Sequence, residues 1–326
     1  MPKWTMVQAI NNALAIELER NPDVLVFGED VGQNGGVFRV TDGLQERFGE
    51  ARVFDTPLAE SAIVGTALGM AIYGLRPVAE IQFAPFTYPC FNQIATQVTR
   101  MRYRSCGVYT APLVIRAPCG GGVRPPEMHS DSVEALFMHV QGIKVVMPST
   151  PYDAKGLLHA AIDDPDPVLF LEHMKLYRSF RQDVPEDRYT LPLGQAHVVK
   201  PGREVTVIAY AAMVNVALAA AQQVEQASGA SVEVIDLRSI APLDEETIAT
   251  SVGKTGRAVV VHEAPRTGGV AAEIIAVIND QCLYSLLKPV ERVTGPDTPF
   301  PMPKLEDTFI PTPERVARAI YRVLEP

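Results

Sequence analysis

The sequence has few cysteines and no excess of positive charge. Its four cysteines, at positions 90, 106, 119 and 282, form no CxxC pair and no cysteine-histidine ladder. We therefore expect neither a disulfide framework nor a structural zinc site. With 29 Lys plus Arg against 38 Asp plus Glu, the net charge is −9, whereas a protein that binds nucleic-acid phosphates normally carries a basic face. We therefore expect no nucleic-acid partner.

Long apolar runs are also missing. No segment reaches about 18 uninterrupted apolar residues, the length that suggests a membrane-spanning helix. The amino terminus, MPKWTMVQ, has no basic stretch followed by an apolar run. We therefore expect no membrane partner and a cytoplasmic location. The composition, 47% hydrophobic and 21% charged, is that of an ordinary globular protein, and the chain is long enough for about two domains.

Strands and helices alternate along the chain, which predicts parallel sheets covered by helices on both faces. A capping-box pattern at Thr5, followed by apolar residues at helical spacing, predicts a helix over residues 5–20. The segment 181–203 is charged, spaced by prolines and without apolar periodicity, so it is interpreted as a linker between domains at 1–180 and 204–326. The main predicted strands lie at 24–27, 78–83, 113–117, 144–147, 168–171, 205–210, 232–237 and 258–262. The main predicted helices lie at 61–73, 88–103, 153–162, 213–227, 244–251 and 269–278.

The loops after the predicted strands form the candidate site, because ligands of open α/β sheets collect at the carboxyl ends of the strands. The segment DTPLAES at 55–61 places Glu60 where a helix begins. A carboxylate there also complements the helix dipole, so a purely structural role stays open. Gln82 and Phe86 can offer an amide and an aromatic face to a ring, although an aromatic residue after a strand is also common in a core.

A second candidate loop is CGGGVRPPEMHSD at residues 119–131, with three glycines, two prolines and His129. A histidine on such a loop can act as an acid, a base or a hydrogen-bond donor near neutral pH. The alternative is a surface histidine in a loop whose Ser130 or Asp131 caps the next helix. A hydrolase triad is not indicated, because adjacent residues rarely converge on one point and no GxSxG elbow is present.

Taken together, these segments resemble the beta subunit of the thiamine-diphosphate-dependent decarboxylating component of 2-oxo acid dehydrogenase complexes. The resemblance covers essentially the whole chain, in order and without large gaps. It is carried by the segments FGEDVG (27–32), GGVF (35–38), DTPLAES (55–61), EIQF (80–83), RYRS (102–105), GGG (120–122), HSDS (129–132), PSTPYDAKGLL (148–158), DLR (236–238) and KTGR (254–257).

The resemblance implies an α/β, transketolase-like fold made of two three-layer α/β/α domains. The first, 1–180, is a pyrimidine-binding domain for thiamine diphosphate, and the second, 204–326, is like the carboxyl-terminal domain of transketolase. It also implies an alpha subunit in an α2β2 heterotetramer and a dihydrolipoamide acyltransferase with a lipoyl domain as partners. In this family a Gly-Asp-Gly motif holds magnesium and the diphosphate, and this chain has no Gly-Asp-Gly. The alpha chain is therefore expected to hold magnesium, and this chain to supply half of an active site.

Five residues are expected, by resemblance, to bind the shared thiamine diphosphate. Glu60 is expected to hydrogen-bond to a nitrogen of the aminopyrimidine ring and to favour its imino tautomer, which removes a proton from the thiazolium carbon. Phe86 is expected to stack on the pyrimidine, and Leu58 and Gln82 to line the same pocket. Glu29 is expected to lie near the cofactor as a supporting carboxylate.

His129 is expected, by resemblance, to face the reacting carbon and to help stabilise the intermediate or guide acyl transfer to a lipoyl group, which makes it catalytic together with Glu60. The family also holds a structural potassium ion at a strand and a helix end. The corresponding positions of this chain are Leu113, Ala161, Ile162, Asp164 and Asp166.

The acyl substrate has two candidates. The segments EMHSD (127–131) and LYRSFRQ (176–182) resemble pyruvate dehydrogenase, while VHEAPR (261–266) and ERVTGPDTP (291–299) resemble branched-chain 2-oxo acid dehydrogenase, which acts on 2-oxoisovalerate. We favour pyruvate and keep the branched-chain enzyme as the alternative. Two other hypotheses are a non-catalytic scaffold subunit, and an independent transketolase-like enzyme, against which the missing magnesium motif argues.

Overall fold

Two large sheets with helices on both faces make up most of the chain. The structure is a computed structural model that describes residues 1–325. The elements up to residue 183 are β1 (Lys3–Trp4), α1 (Met6–Arg20), β2 (Val24–Gly28), α2 (Leu44–Phe48), β3 (Val53–Asp55), α3 (Glu60–Ile72), β4 (Arg76–Glu80), α4 (Thr87–Gln93), α5 (Met101–Arg104), β5 (Val114–Cys119), α6 (Glu134–His139), β6 (Lys144–Val146), α7 (Pro151–Asp163), β7 (Val168–His173) and β8 (Gln182–Asp183).

The remaining elements belong mostly to the second sheet and its helices. They are β9 (His197–Lys200), β10 (Val205–Ala209), α8 (Ala212–Ser228), β11 (Val232–Asp236), β12 (Ser239–Ala241), α9 (Glu245–Thr255), β13 (Ala258–Pro265), α10 (Ala271–Cys282), β14 (Glu291–Gly295), α11 (Glu306–Phe309) and α12 (Pro313–Leu324).

The first sheet has seven strands in the order β12-β6-β7-β5-β4-β2-β3, and all are parallel except β12. The second has five strands in the order β14-β13-β10-β11-β9, with β9 antiparallel. Parallel strands need long crossovers, which the helices provide. Strand β12 lies late in the chain but pairs with β6 of the first sheet. Strand β9 lies inside the predicted linker at 181–203, and the domain boundaries stay a prediction.

The hydrophobic core forms two clusters on opposite faces of the sheets. On β2, Val24 and Val26 belong to one cluster, and Leu25 and Phe27 belong to the other. This division follows from strand geometry, because successive side chains point to opposite faces. The strands are buried on both faces, as expected for parallel sheets covered by helices. Across residues 1–325, no helix has the length and apolar character required to span a membrane.

Local sequence signals explain where several elements begin. The capping box predicted at Thr5 is present: its side chain accepts from the Gln8 amide, and the Gln8 side chain accepts from the Thr5 amide at 3.0 Å. The predicted helix over 88–103 is interrupted, because residues Ile94–Val98 form a π-helical turn between α4 and α5. The predicted strand 78–83 runs instead from Arg76 to Glu80, which leaves Gln82 in the following loop.

Candidate active site

The predicted site residues come from loops at one edge of the first sheet. Strands β2, β4 and β5 are parallel neighbours, so their carboxyl ends lie side by side. Glu29 follows β2, Gln82 follows β4 and His129 lies in the loop after β5, while Glu60 begins α3. The carboxyl edge of such a sheet is where ligands bind in open α/β proteins.

The loop after β2 is fastened to the segment that leads into α3. The amide of Gly32 donates to a carboxylate oxygen of Asp55 at 2.6 Å, and the amide of Thr56 donates to the carbonyl of Gly28 at 3.0 Å. These bonds hold Glu29 beside the start of α3. The hydroxyl of Thr56 is buried without a hydrogen-bond partner, so a ligand at this edge could bond to it.

Glu29 is a buried carboxyl group with one open oxygen. It is 6% exposed, and its Oε1 has no hydrogen-bond partner. Burial raises its pKa, and the negative charges of Glu60 and Asp30 raise the pKa further. A buried polar atom of this kind normally has a partner in the functional protein, which makes Oε1 a candidate ligand-binding atom.

Glu60 lies half-buried at the first turn of α3, whose N-cap residue, Ala59, has no side-chain hydrogen bond to the helix. The first amides of a helix lack intrahelical acceptors, so this helix start can hold a negative group. The hydroxyl of Ser61 donates to the carbonyl of Pro89 at 2.8 Å and fixes α3 against α4. Leu58 is 78% exposed just before the helix, so its apolar surface is free to be covered by a ligand or a partner.

His129 lies on an aromatic surface. Its ring centroid is 4.5 Å from that of Phe83 and 5.2 Å from that of Phe86, both edge-to-face, and the two phenylalanine rings are 5.5 Å apart. The Nδ1–H of His129 donates to the carbonyl of Glu127 at 2.7 Å. Because a carbonyl oxygen can only accept, the proton is on Nδ1, and in the neutral ring Nε2 is left as an acceptor.

Gln82 is connected to the same group through Asp30. Its Nε2 donates to the Asp30 carboxylate at 2.9 Å, and Asp30 has a left-handed backbone with φ of 57°. Glu29 thus lies in the charge field of Glu60 and Asp30, Gln82 is hydrogen-bonded to Asp30, and Phe86 contacts His129 through its ring. Leu58 precedes Glu60 by two residues and is exposed to solvent.

Sequence reasoning did not select Phe83, Asp55, Thr56 or Asp30. Phe83 ends the predicted strand VAEIQF and looks like a core residue from the sequence. Asp55 and Thr56 belong to the segment DTPLAES, and Asp30 belongs to GEDVG. The sequence pattern therefore points to the segments that contain these residues, but not to the residues themselves.

The five residues predicted to bind potassium do not fit an open cation site. Arg76 donates to the carbonyl of Ile162 at 2.7 Å, and the Leu113 carbonyl accepts the Val168 amide at 3.0 Å. The side chain of Asp164 pairs with Lys144 at 2.8 Å, and that of Asp166 pairs with Arg102 at 2.7 Å. Since three cationic side chains already bond to these oxygen atoms, a further cation would be repelled. Ala161 lies in the last turn of α7. We assign no role to potassium.

Known proteins resemble the chain over its full length. The family models "Transketolase, pyrimidine binding domain" and "Transketolase, C-terminal domain" match residues 2–179 and 194–316. A protein of Bacillus subtilis (strain 168) named "Pyruvate dehydrogenase E1 component subunit beta" is 56% identical over 325 residues, with 100% of both chains covered. A protein of the same name from Staphylococcus aureus is 53% identical with the same coverage.

The chain belongs to the family of pyruvate dehydrogenase E1 component beta subunits. A solved structure described as "Split gene transketolase, inactive beta4 tetramer" has a TM-score of 0.79 at 24% identity and covers 99% of each chain. This likeness confirms the transketolase-like fold with two α/β units. The names of the relatives favour the pyruvate enzyme over the branched-chain alternative.

A member of this family needs a surface for thiamine diphosphate, and the residues present fit the pyrimidine part of that cofactor. The edge offers a carboxyl group at Glu60, an unpartnered buried oxygen at Glu29 and apolar surface at Leu58 and Phe86. A flat heteroaromatic ring with polar nitrogens requires this mixture of apolar walls and a few polar atoms.

Proposed function

We propose that the chain is the beta subunit of a pyruvate dehydrogenase E1 component, which decarboxylates pyruvate and passes the acyl group to a lipoyl group of a dihydrolipoamide acyltransferase. The observation that carries the proposal is the gathering of Glu29, Glu60, Gln82, Phe86 and His129 at the carboxyl edge of β2, β4 and β5, with an oxygen of Glu29 left unpaired. Full-length relatives of the same name support it.

Glu60 would hydrogen-bond to a ring nitrogen of bound thiamine diphosphate, and Glu29 would support it as a neighbouring carboxyl group. The charges of the two carboxylates are coupled, since Glu60 raises the pKa of Glu29. Burial and the neighbouring charge of Glu60 raise the pKa of Glu29, so Glu29 retains its proton more readily than in water. When bound, thiamine diphosphate supplies the carbon nucleophile and electron sink that decarboxylation of a 2-oxo acid needs.

Phe86, Leu58 and His129 act at the solvent-facing side of the site. Phe86 and Leu58 provide apolar walls that exclude water, which strengthens hydrogen bonds made inside. His129, with its proton on Nδ1 and its ring against Phe83 and Phe86, presents Nε2 as an acceptor for a proton during acyl transfer. Gln82, bonded to Asp30, lines the pocket beside them.

The rest of the active site belongs to partners. The absence of a Gly-Asp-Gly motif supports an alpha chain that holds magnesium and the diphosphate, in an α2β2 heterotetramer. The domain boundaries, 1–180 and 204–326 with a linker at 181–203, stay a prediction: the two family models match separately, and the second match begins at residue 194, inside the proposed linker. We retain the cytoplasmic location as a prediction.

Reconstitution tests the proposal. The purified chain should give no turnover alone, and mixing it with its cognate alpha chain, thiamine diphosphate and magnesium should give pyruvate-dependent reduction of an artificial electron acceptor. Turnover by the chain alone would instead support an independent transketolase-like enzyme. Faster turnover of 2-oxoisovalerate than of pyruvate would identify the branched-chain 2-oxo acid as the substrate. The assay can separate the two, because each methylene by which substrates differ changes specificity by about 10- to 200-fold.

The scaffold hypothesis predicts a different result in the same assay. A subunit that only positions the alpha chain would tolerate Phe86→Ala and His129→Ala with unchanged turnover at saturating alpha chain. We expect both variants to assemble normally and to lose turnover.

A further inference from the structure

The loop that carries His129 is attached to the carboxyl-terminal part of the chain. The amide of Gly121 donates to Oε1 of Glu263 at 2.6 Å, and the amide of the next residue, Gly122, donates to a carboxylate oxygen of Glu306. Glu263 lies on β13 and Glu306 begins α11. Two successive amides at the start of the loop thus bond to two carboxylates that are far away in the sequence.

The other end of the loop contacts the same part of the chain. Asp131, two residues after His129, lies beside Phe300; burial raises the pKa of its carboxyl group, and the backbone of Phe300 lowers it. A Cβ atom at Gly121 would come within 2.4 Å of the Phe300 ring, and that ring packs against Phe309 with centroids 4.8 Å apart. The residues between 263 and 309 therefore hold the loop on both sides of His129.

The two carboxylates are removed from water. Glu263 is 5% exposed and Glu306 is 1% exposed. The second oxygen of Glu263 accepts from Nε2 of His173 at 3.0 Å, so Glu263 also connects the loop to the end of β7. Hydrogen bonds from amides to carboxylates in such surroundings are strong and directional, and the loop has no comparable buried side-chain anchor among its own residues in the described structure.

On the amino-terminal side, Gly120 and Gly122 pack against His173 and Lys175, and the His129 ring itself contacts Phe83 and Phe86. The ring contacts are edge-to-face pairs, which fix direction less strictly than short hydrogen bonds do. A small shift of Gly121 and Gly122 would move the ring of His129 away from the position in which its Nε2 accepts a proton. Catalytic groups lose much of their effect when they are misplaced by about 1 Å.

We propose that Glu263 and Glu306 are positioning residues for His129: they hold the amides of Gly121 and Gly122 and so fix the loop in its catalytic position. This inference rests on the proposed function of His129. It gives the carboxyl-terminal part of the chain a direct influence on acyl transfer, besides any contact that it makes with partner subunits.

A double-mutant cycle in the reconstituted heteromer tests the inference. Glu306→Ala should lower kcat for lipoyl acylation by roughly 10- to 100-fold with little change in KM for pyruvate. In a His129→Ala background the same substitution should cost less than about twofold, because residues that act as a unit are not additive. Glu306→Gln, which keeps an oxygen acceptor for Gly122, should recover part of the activity.

Asp307→Asn is the matched control. Asp307 adjoins Glu306 and also bonds to the loop, through an exposed ion pair with Arg124 at 2.7 Å. Exposed pairs of this kind contribute little, so the control should keep wild-type kcat. If Glu306→Ala does not assemble, Glu263→Gln takes its place in the cycle under the same criterion.

Hydrogen exchange gives a second measurement that does not depend on turnover. The amides of residues 120–123 should exchange faster in Glu306→Ala than in the wild type, and Asp307→Asn should match the wild type. Additive losses in the cycle, or unchanged exchange in Glu306→Ala, would overturn the inference. A wild-type heteromer without 2-oxo acid turnover would overturn the proposed function instead, while the exchange result would still decide how the loop is held.

Discussion

Glu29 and Glu60 form a pair of carboxyl groups in different surroundings. Glu29 is buried, whereas Glu60 lies at the start of α3. Burial alone would raise the pKa of Glu29, and the charge of Glu60 adds to that effect. Pairs whose surroundings differ in this way are common where proteins move protons. The open Oε1 of Glu29 indicates that the pair is completed by a ligand.

Replacing Glu60 tests this pair directly. Glu60→Gln keeps the shape of the side chain but removes the ionisable proton, so kcat of the reconstituted heteromer should fall about 100-fold or more. Sedimentation should show unchanged assembly. The control is Glu46→Gln, an exposed glutamate in the first turn of α2, which should retain full turnover. Normal turnover of Glu60→Gln would refute the role proposed for this residue.

The sequence predicts site residues where a polar or aromatic side chain lies in a distinctive segment after a strand, as at Glu60 and His129, and these roles stay predictions. It missed Phe83 because a phenylalanine at the end of an apolar strand has the same signature as a core residue. It also missed Glu263 and Glu306, which lie more than a hundred residues from the loop they bond to. Such contacts depend on how two sheets are arranged, and no local pattern encodes that arrangement.

At the scale of elements, long periodic segments were predicted well, whereas several short elements were missed. Strand β3 has only three residues, too few for a periodic signal. In the predicted helix 88–103, the Thr99 amide bonds to the Ile94 carbonyl five residues back, a π-type irregularity that hydrophobic spacing does not reveal. Helix α12 has a local sequence signal, the capping residue Thr312 followed by Pro313. The alternation of strands and helices did not lead to its prediction.

The loop that begins with Gly120, Gly121 and Gly122 has little room for added side-chain atoms. Gly120 has φ of +73°, and a Cβ atom there would lie 2.2 Å from Nε2 of His173. Gly268 has φ of +70° with nothing within 4 Å of the same position. Both Gly→Ala changes incur the left-handed backbone cost of about 1–2 kcal/mol, but only Gly120→Ala adds overpacking of about 1–3 kcal/mol.

Urea denaturation should therefore show that Gly120→Ala lowers the free energy of unfolding more than Gly268→Ala does. Equal losses in the two variants would mean that the loop can move away from His173 at no cost. That result would contradict the tight packing of the loop.

At the scale of the whole molecule, a buried aspartate joins the two parts of the chain. Asp236, at the end of β11, accepts from the hydroxyl of Ser149 and from the Arg238 amide. Burial, with the negative charge of Asp153 added, raises its pKa to about 7 from an ordinary value of 3.8. The folded protein therefore keeps a proton that the unfolded chain has already released.

This difference fixes the sign of a pH effect. The contribution of Asp236 to stability is fully present below about pH 4 and is lost as the pH rises through about 7. Asp236→Asn stays neutral, so its free energy of unfolding relative to the wild type should rise by roughly 1–4 kcal/mol from pH 4 to pH 8. Chemical denaturation across that range measures it, with the exposed Asp280→Asn as control. A pH-independent difference between Asp236→Asn and the wild type would contradict the shift.

The pairing of β12 with β6 limits how the chain can be divided. A fragment that stops at residue 203 would leave β6 with bare amides and carbonyls along its outer side, because Ser239 and Ala241 normally face Val146 and Val145 there. Exposed sheet edges of this kind pair with strands from other molecules. Shortened versions of the protein would consequently aggregate, and the amino-terminal sheet depends for its solubility on a strand that follows β6 by nearly a hundred residues.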